Sequence, residues 1–325
     1  MGAVLVTGGA GFIGSHLTDR LLADGRDVVV LDSFDPFYDP AAKHRNLEAA
    51  TANPRFRLVT GDIRDPVAVD AAFDAQPIEA VVHLAARAGV RPSIEDPAIY
   101  TSVNLDGTVQ MLEGCRKRGV TRFIFGSSSS VYGNNDKVPF AEDDPVDHPI
   151  SPYAATKRGG ELLAHTYHHL FGMKVACLRF FTVFGPRQRP DLAIRKFATL
   201  MAAGREIPVF GDGTTGRDYT FVDDIVDGIV RALGRASGFH IWNLGGSHPV
   251  ILNDLIACLS RGLGRTPDQR RLPPQAGDVD RTWADVSRAK AELGWEPGTT
   301  FENGMESFLS WFEADRLRAA SGSKA

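Results

Sequence analysis

Three short segments carry residue types that together could move a proton and a hydride. Gly8, Gly11 and Gly14 recur at every third position directly after an apolar run. Ser127–Ser130 precede Val131-Tyr132-Gly133, and Tyr153 stands four residues before Lys157. Glycines between a strand and a helix permit a tight turn, close approach of backbone to a pyrophosphate, and close helix–strand packing. The helix N-terminus behind them offers unpaired N–H groups and a favourable dipole to phosphate. A phenol ionises near pH ~10 and is a poor base at neutrality. An ammonium nearby, with the positive charge of a nicotinamide, would favour its phenolate. Tyr153 and Lys157 lie at i, i+4 on one predicted helix face, so both can enter one pocket. A serine at the carboxyl end of a parallel strand sits where ligands bind in such sheets and can bridge a sugar hydroxyl to the phenol.

Asp32 ends the second predicted strand, 18 residues after Gly14. An acid there can accept from the adenosine ribose hydroxyls and would repel a 2′-phosphate. Its next neighbours are Ser33, Phe34 and Asp35, with no arginine, which favours NAD over NADP. Phe12 and Ile13 complete the first turn of the phosphate-facing helix. Asp62, followed by Ile63, comes after the third strand and either meets the adenine edge or serves as a turn acid. His83-Leu84-Ala85-Ala86 ends the fourth strand. The small residues would let the chain pass close to the cofactor, and His83 reads as structural.

These residues need strands and helices to hold them. Predicted strands are Ala3–Thr7, Val28–Leu31, Phe56–Thr60, Ala80–Leu84, Arg122–Gly126 and Lys174–Phe180. They alternate with predicted helices Phe12–Ala23, Ala41–Ala50, Pro66–Phe73, Leu105–Arg118 and Pro152–Phe171. That rhythm predicts an α/β fold: a Rossmann-type, doubly wound parallel sheet covered on both faces. After Phe181 the pattern becomes irregular and richer in arginine. Helices are expected over Leu192–Ala203, Val222–Leu233, Leu252–Leu263, Ser287–Leu293 and Phe301–Leu317, a strand over His240–Leu244, a turn over Val209–Gly216 and a loop over Arg270–Arg281. The expected organisation is an NAD-binding domain at 1–181 plus about 220–244, and a smaller C-terminal α/β substrate domain at 182–219 and 245–318. A disordered tail is expected at 319–325.

The 325 residues are 43 % hydrophobic, enough for a large core, and carry a formal charge of −4, which argues against a nucleic-acid partner. Cys115, Cys177 and Cys258 are far apart and odd in number, the pattern of free thiols in a reducing cytoplasm. The first strand begins at Ala3, leaving no room for a signal peptide, and the longest early apolar run is far too short to span a bilayer. A soluble, cytoplasmic protein is expected. His165, His168 and His169 lie on the Tyr153 helix with no further ligands clustered nearby in sequence, so a surface or dimer-face location is expected and no metal.

With these segments in view, the chain resembles the extended short-chain dehydrogenase/reductase family, specifically NAD-dependent nucleotide-sugar epimerases. The resemblance covers nearly the whole chain. It includes Asn104-Leu105-Asp106-Gly107-Thr108, Gly211-Asp212-Gly213, Arg217-Asp218-Tyr219, Ala284-Asp285-Val286-Ser287 and Leu293-Gly294-Trp295. It implies that Tyr153 is the base, that Lys157 binds the nicotinamide ribose and tunes Tyr153, and that Ser128 is the partner hydroxyl. It also implies pyrophosphate and uridine-ribose contacts from Arg217 and Asp278, a uracil neighbour in Phe210, and a homodimer through Leu105–Arg118 and Pro152–Phe171.

Dehydratases and decarboxylases of this family carry an acid where Ser129 and Ser130 stand, which points here to plain epimerisation. Arg179 through Ala193, with Ser128–Gly133, is most similar to the UDP-glucuronate 4-epimerases. UDP-glucose 4-epimerases usually place Asn where Thr182 stands. Ser128, Ser130 and Thr182 could surround a sugar carboxylate. Arg91 and Arg189 are either charged contacts to the substrate or solvated loop arginines. A UDP-glucose or UDP-N-acetylglucosamine 4-epimerase is the nearest alternative, and a non-catalytic NAD-binding sensor a remote one.

Overall fold

The computed structural model describes residues 2–273 and 281–322. The described strands are, in chain order, Ala3–Thr7 (β1), Val28–Asp32 (β2), Phe56–Thr60 (β3), Ile78–His83 (β4), Arg122–Ser128 (β5), Lys174–Phe180 (β6), Thr182–Phe184 (β7), Ile207–Phe210 (β8), Gly216–Phe221 (β9), Phe239–Leu244 (β10), Pro249–Ile251 (β11) and Gln269–Leu272 (β12). The helices are Phe12–Ala23 (α1), Pro40–Thr51 (α2), Pro66–Asp74 (α3), Val90–Glu95 (α4), Pro97–Thr101 (α5), Gly107–Arg118 (α6), Pro152–Phe171 (α7), Ala193–Ala202 (α8), Val222–Arg235 (α9), Leu252–Leu263 (α10), Ser287–Leu293 (α11) and Phe301–Gly322 (α12).

The main sheet runs β10-β6-β5-β4-β1-β2-β3 and every pairing in it is parallel. The order reverses between β1 and β4, which opens a crevice at their carboxyl ends. Side chains alternate between its two faces, as strand geometry requires. Val4, Val6, Val28, Val30 and Ile124 join the core beneath α1 and α9. Leu5, Val29, Leu31, Phe123 and Phe125 join the core beneath α3, α6 and α7. Two smaller sheets, β11-β9-β7 and β12-β8, are built from the strands outside the main one.

Four helices begin with one device. Asp39, Asp65, Asp96 and Ser151 each cap a helix by accepting a backbone N–H, and each is followed by proline. Proline lacks an N–H that would be unpaired there anyway, and its fixed φ suits the first turn. Gly119, Gly172, Gly264 and Gly294 end α6, α7, α10 and α11 in the left-handed conformation.

The structure departs from sequence expectation in several places. The helix expected from Leu105 already winds at Ser102, as a π-helical turn over Ser102–Asp106 that leads into α6. The short helices α4 and α5 were not expected; prolines 92 and 97 interrupt the pattern that would signal them. Arg270–Arg281, expected as a loop, begins inside β12, which pairs with β8 at its polar, exposed edge. Helix α12 continues to Gly322, into the stretch expected as tail.

Candidate active site

The turn from β1 to α1 is built by glycines under tight constraint. Gly8 has φ +71°, and a Cβ there would lie 2.8 Å from the amide nitrogen of Ala85. A Cβ on Gly14 would lie 2.2 Å from the carbonyl oxygen of Gly8. Gly11 caps α1 with no side chain closing its N-terminus. The first-turn residues Phe12, Ile13 and Gly14 therefore present backbone to the cavity that they line. This cradle suits a pyrophosphate. Leu84, Ala85 and Ala86 line the same cavity from the end of β4. His83 is buried and bridges Thr7 (2.8 Å) and Thr108 (3.0 Å); burial first, then the Lys157 charge, push its pKa down to about 3. It is a structural residue, as expected.

Asp32 ends β2 inside the cavity. Its Oδ2 accepts from the Ala10 amide at 3.0 Å and its Oδ1 from the Phe34 amide at 2.8 Å. Each oxygen keeps a lone pair for a ribose hydroxyl. Lys43, on α2, lies 3.7 Å from Asp32 Oδ1, a counter-charge that the absence of a neighbouring arginine in sequence did not reveal. Asp62 and Ile63 also line the cavity. Arg64 grips both oxygens of Asp62 at 2.7 and 3.0 Å, and that hydrogen bonding holds the carboxyl below its usual pKa.

Strand β5 runs through to Ser128, and a 3₁₀ turn over Ser129–Tyr132 follows. Ser128 Oγ accepts from the Ser130 amide at 3.2 Å and donates to Ser130 Oγ at 3.1 Å. Tyr153 and Lys157 point from the first turns of α7 into the same cavity as Ser128, Ser129, Ser130, Thr182 and Arg189. Burial raises the Tyr153 pKa, while its hydrogen bond with Ser128 and the Arg189 charge pull it down. Lys157 Nζ donates to the Gly126 carbonyl at 2.7 Å. Burial lowers its pKa to about 8, partly offset by Glu161. Lys157 and Arg189 both line the cavity that Tyr153 enters.

Beneath these groups lies a buried ion pair that sequence reading missed. Arg179 donates twice to Glu161, at 2.9 Å each, and also to Tyr132 Oη at 2.9 Å. Glu161 accepts from Ser127 Oγ at 2.7 Å. The pair ties α7 to β5 and β6 one helical turn behind Lys157. Glu161 at i+4 from Lys157 was the available signal.

The loop after β7 divides its arginines. Arg187 turns away to Asp19 on α1 at 2.7 Å, whereas Arg189 faces the cavity and holds Asp191 bidentately at 3.0 and 2.7 Å. Arg91 lies over the Phe210 ring at 4.8 Å, so these two expected substrate contacts come together. Arg217 is on β9 and donates to the Gly216 carbonyl. Asp278 lies outside the described residues. Among the described residues, Arg91, Phe210 and Arg217 stand apart from the cavity lining that holds Tyr153. Cys115, Cys177 and Cys258 are free thiols.

A model of the NAD dependent epimerase/dehydratase family matches residues 4–245. The chain belongs to this family. It is 42 % identical over 312 residues to a UDP-glucuronate 4-epimerase of Thermodesulfobacterium geofontis, with 96 % of each chain covered. Its fold matches the crystal structure of a UDP-glucuronic acid 4-epimerase from Bacillus cereus in complex with UDP-glucuronic acid and NAD. That match has a TM-score of 0.91 at 36 % identity, covering 96 % of this chain and 99 % of the other. A dTDP-glucose 4,6-dehydratase from Streptomyces venezuelae, with NAD bound, matches with a TM-score of 0.90 at 33 % identity, covering 97 % and 98 %. Fold alone therefore does not choose between epimerase and dehydratase within this family. NAD is the cofactor of the family, and the glycine cradle, the uncapped α1 and Asp32 fit it.

Proposed function

We propose that this member of the family epimerises UDP-glucuronate at C4, giving UDP-galacturonate. The carrying observation is the wall beside Tyr153. It consists of the hydroxyl residues Ser128, Ser129, Ser130 and Thr182 with the Arg189 cation; the two residues after Ser128 are serines, and the nearby Glu161 carboxylate is taken up by Ser127 and Arg179. A dehydratase or decarboxylase needs a further acid/base there; an acidic sugar needs donors.

Bound NAD supplies the reversible hydride acceptor for this chemistry. Tyr153, as phenolate, takes the proton from the C4 hydroxyl as C4 becomes a ketone, and returns it when the sugar is reduced on the opposite face. Ser128 bridges the C4 oxygen to Tyr153 and stabilises the ionised phenol. Lys157, anchored on the Gly126 carbonyl, keeps donors for the nicotinamide ribose. The 4-ketone of a glucuronate is a β-keto acid, prone to lose CO2. Ser130, Thr182 and Arg189 hold its carboxylate and oppose that loss. Arg217, Asp278 and Phe210, with Arg91 beside it, hold the UDP while the sugar turns.

The test is a product assay of purified protein with UDP-glucuronate, UDP-glucose and UDP-N-acetylglucosamine. UDP-galacturonate as the main product is expected. Faster turnover of a neutral sugar, or release of CO2 with a UDP-pentose, overturns the reading.

The same reading includes a homodimer in the cytoplasm. Support comes from Leu162, Leu170 and Phe171, which are exposed on α7, and light scattering of the eluting protein tests it. Among the described residues no helix is long and apolar enough to cross a membrane.

A further inference from the structure

Phe37 lies in the loop between β2 and α2, five residues beyond Asp32. Its ring is flanked by two guanidinium groups from different parts of the chain. Arg87, after β4, stands 5.3 Å from the ring centroid, and Arg189, after β7, stands 5.6 Å from it. Each cation is held by its own carboxylate: Arg87 by Asp35 at 3.1 Å and Arg189 by Asp191 at 2.7 Å. The row Asp35–Arg87–Phe37–Arg189–Asp191 thus alternates acid, cation, ring, cation and acid across three loops.

Two like charges close together repel. The Phe37 ring, close to both, attracts each through its quadrupole, and the terminal acids compensate them. The row is fixed at one end to the catalytic helix. Asn104 accepts from the Arg87 amide at 2.8 Å and donates to the Arg87 carbonyl at 3.0 Å. The same Asn104 amide donates to Thr156 on α7 at 3.0 Å. Arg189 is therefore not a free loop side chain. It is held by Asp191 and stands against Phe37, whose loop starts at the acid that would meet the adenosine ribose.

We propose that Phe37 is a positioning residue that aims the Arg189 guanidinium at the sugar carboxylate, so that selection of an acidic sugar depends on the loop following Asp32. This rests on the UDP-glucuronate reading above. Phe37 touches neither reacting atoms nor, on this proposal, the sugar; it acts through Arg189.

The test compares wild type with Phe37→Leu, Phe37→Ala and Phe37→Trp as NAD-loaded holoenzymes. KM and kcat are measured with UDP-glucuronate, and Kd is measured for UDP-glucose and for UDP. Leu keeps apolar bulk without a π face. In both Leu and Ala variants KM for UDP-glucuronate should rise about tenfold, the scale of a desolvated cation–π contact. kcat should change less, with NAD content and both Kd values unchanged. Trp should restore the wild-type KM. KM within twofold of wild type in both Leu and Ala variants overturns the proposal. Loss of NAD by both overturns it too, because the ring then serves cofactor retention. A Trp variant as impaired as Ala also overturns it. If the wild type itself shows no preference for UDP-glucuronate over UDP-glucose, the substrate reading fails and the proposal falls with it. A wild-type preference that survives in the Ala variant sinks the proposal alone.

Discussion

Lys157 donates to the carbonyl of Gly126 at 2.7 Å, so the ammonium is moored to the strand that carries Ser128. One of its three protons is committed to protein, which fixes the direction of the others. Its pKa of about 8 places the loss of this charge within the working range of an enzyme. As pH rises through about 8 the ammonium deprotonates, and kcat for UDP-glucuronate is expected to fall. Lys157→Met should be slower and lack that alkaline limb. A kcat profile over about pH 6 to 10 checks both.

Tyr153→Phe removes the proposed proton acceptor and leaves the glycine cradle and Asp32 intact. The variant should bind NAD as well as the wild type does. Its kcat should fall by about 10³, within the usual range for loss of a general base. Absorbance of bound cofactor and product chromatography measure the two effects. Retained near-normal turnover would remove Tyr153 from the mechanism.

Gly14→Ala places a methyl 2.2 Å from the Gly8 carbonyl, and backbone has no flexible end to swing aside. The turn must open, so NAD content should drop severely even where circular dichroism shows a folded chain. Full cofactor occupancy in this variant would contradict the cradle assigned here.

Glu161 and Arg179 are both buried and bonded to one another twice. Glu161→Gln leaves a buried guanidinium short of its charge partner and should cost about 3–5 kcal/mol of stability. Replacing both with methionine should recover most of that loss, because two buried charges are then removed together. Denaturant unfolding of Glu161→Met, Arg179→Met and the double variant measures the coupling.

His83 gives a prediction of opposite kind. Its folded pKa of about 3 lies below the unfolded value of about 6.5, so the unfolded chain binds more protons between those limits. Its contribution to stability is complete above pH ~6.5 and is lost as pH falls toward ~3. Its ring resonances should not titrate between pH ~8 and ~5 in the folded protein. A His83 midpoint near pH ~6 by NMR would contradict the buried bridge between Thr7 and Thr108.

Much of this site was legible because its parts are local in sequence. The β1–turn–α1 unit, Asp32 at a strand end and the Tyr153/Lys157 spacing each need only a few neighbouring residues to be recognised. What stayed hidden depends on distant contacts. Lys43 sits beside Asp32 only because α2 folds back over the strand end. Phe37, Arg87 and Arg189 come from three loops with no shared periodicity. Arg179 read as one residue of an apolar strand, and its partner as one residue of a long helix. The π-helical turn at Ser102 was invisible because its residues differ little from those of an ordinary helix start. Strand β12 was missed because an exposed edge in a two-stranded sheet does not need an apolar face.

The position of β10 has a practical consequence. The chain leaves the large sheet after Phe180, builds β7 to β9, returns through α9 to pair β10 with β6, and leaves again after Leu244. The two regions are therefore interleaved like laced fingers. A protease that cut the connection at 245–248 would free neither piece, since β11 would stay paired with β9 and β12 with β8. Such a nicked protein would migrate intact until denatured. A dinucleotide-binding fragment with its seven-stranded sheet complete has to run to Leu244, and so carries β7 to β9 with it.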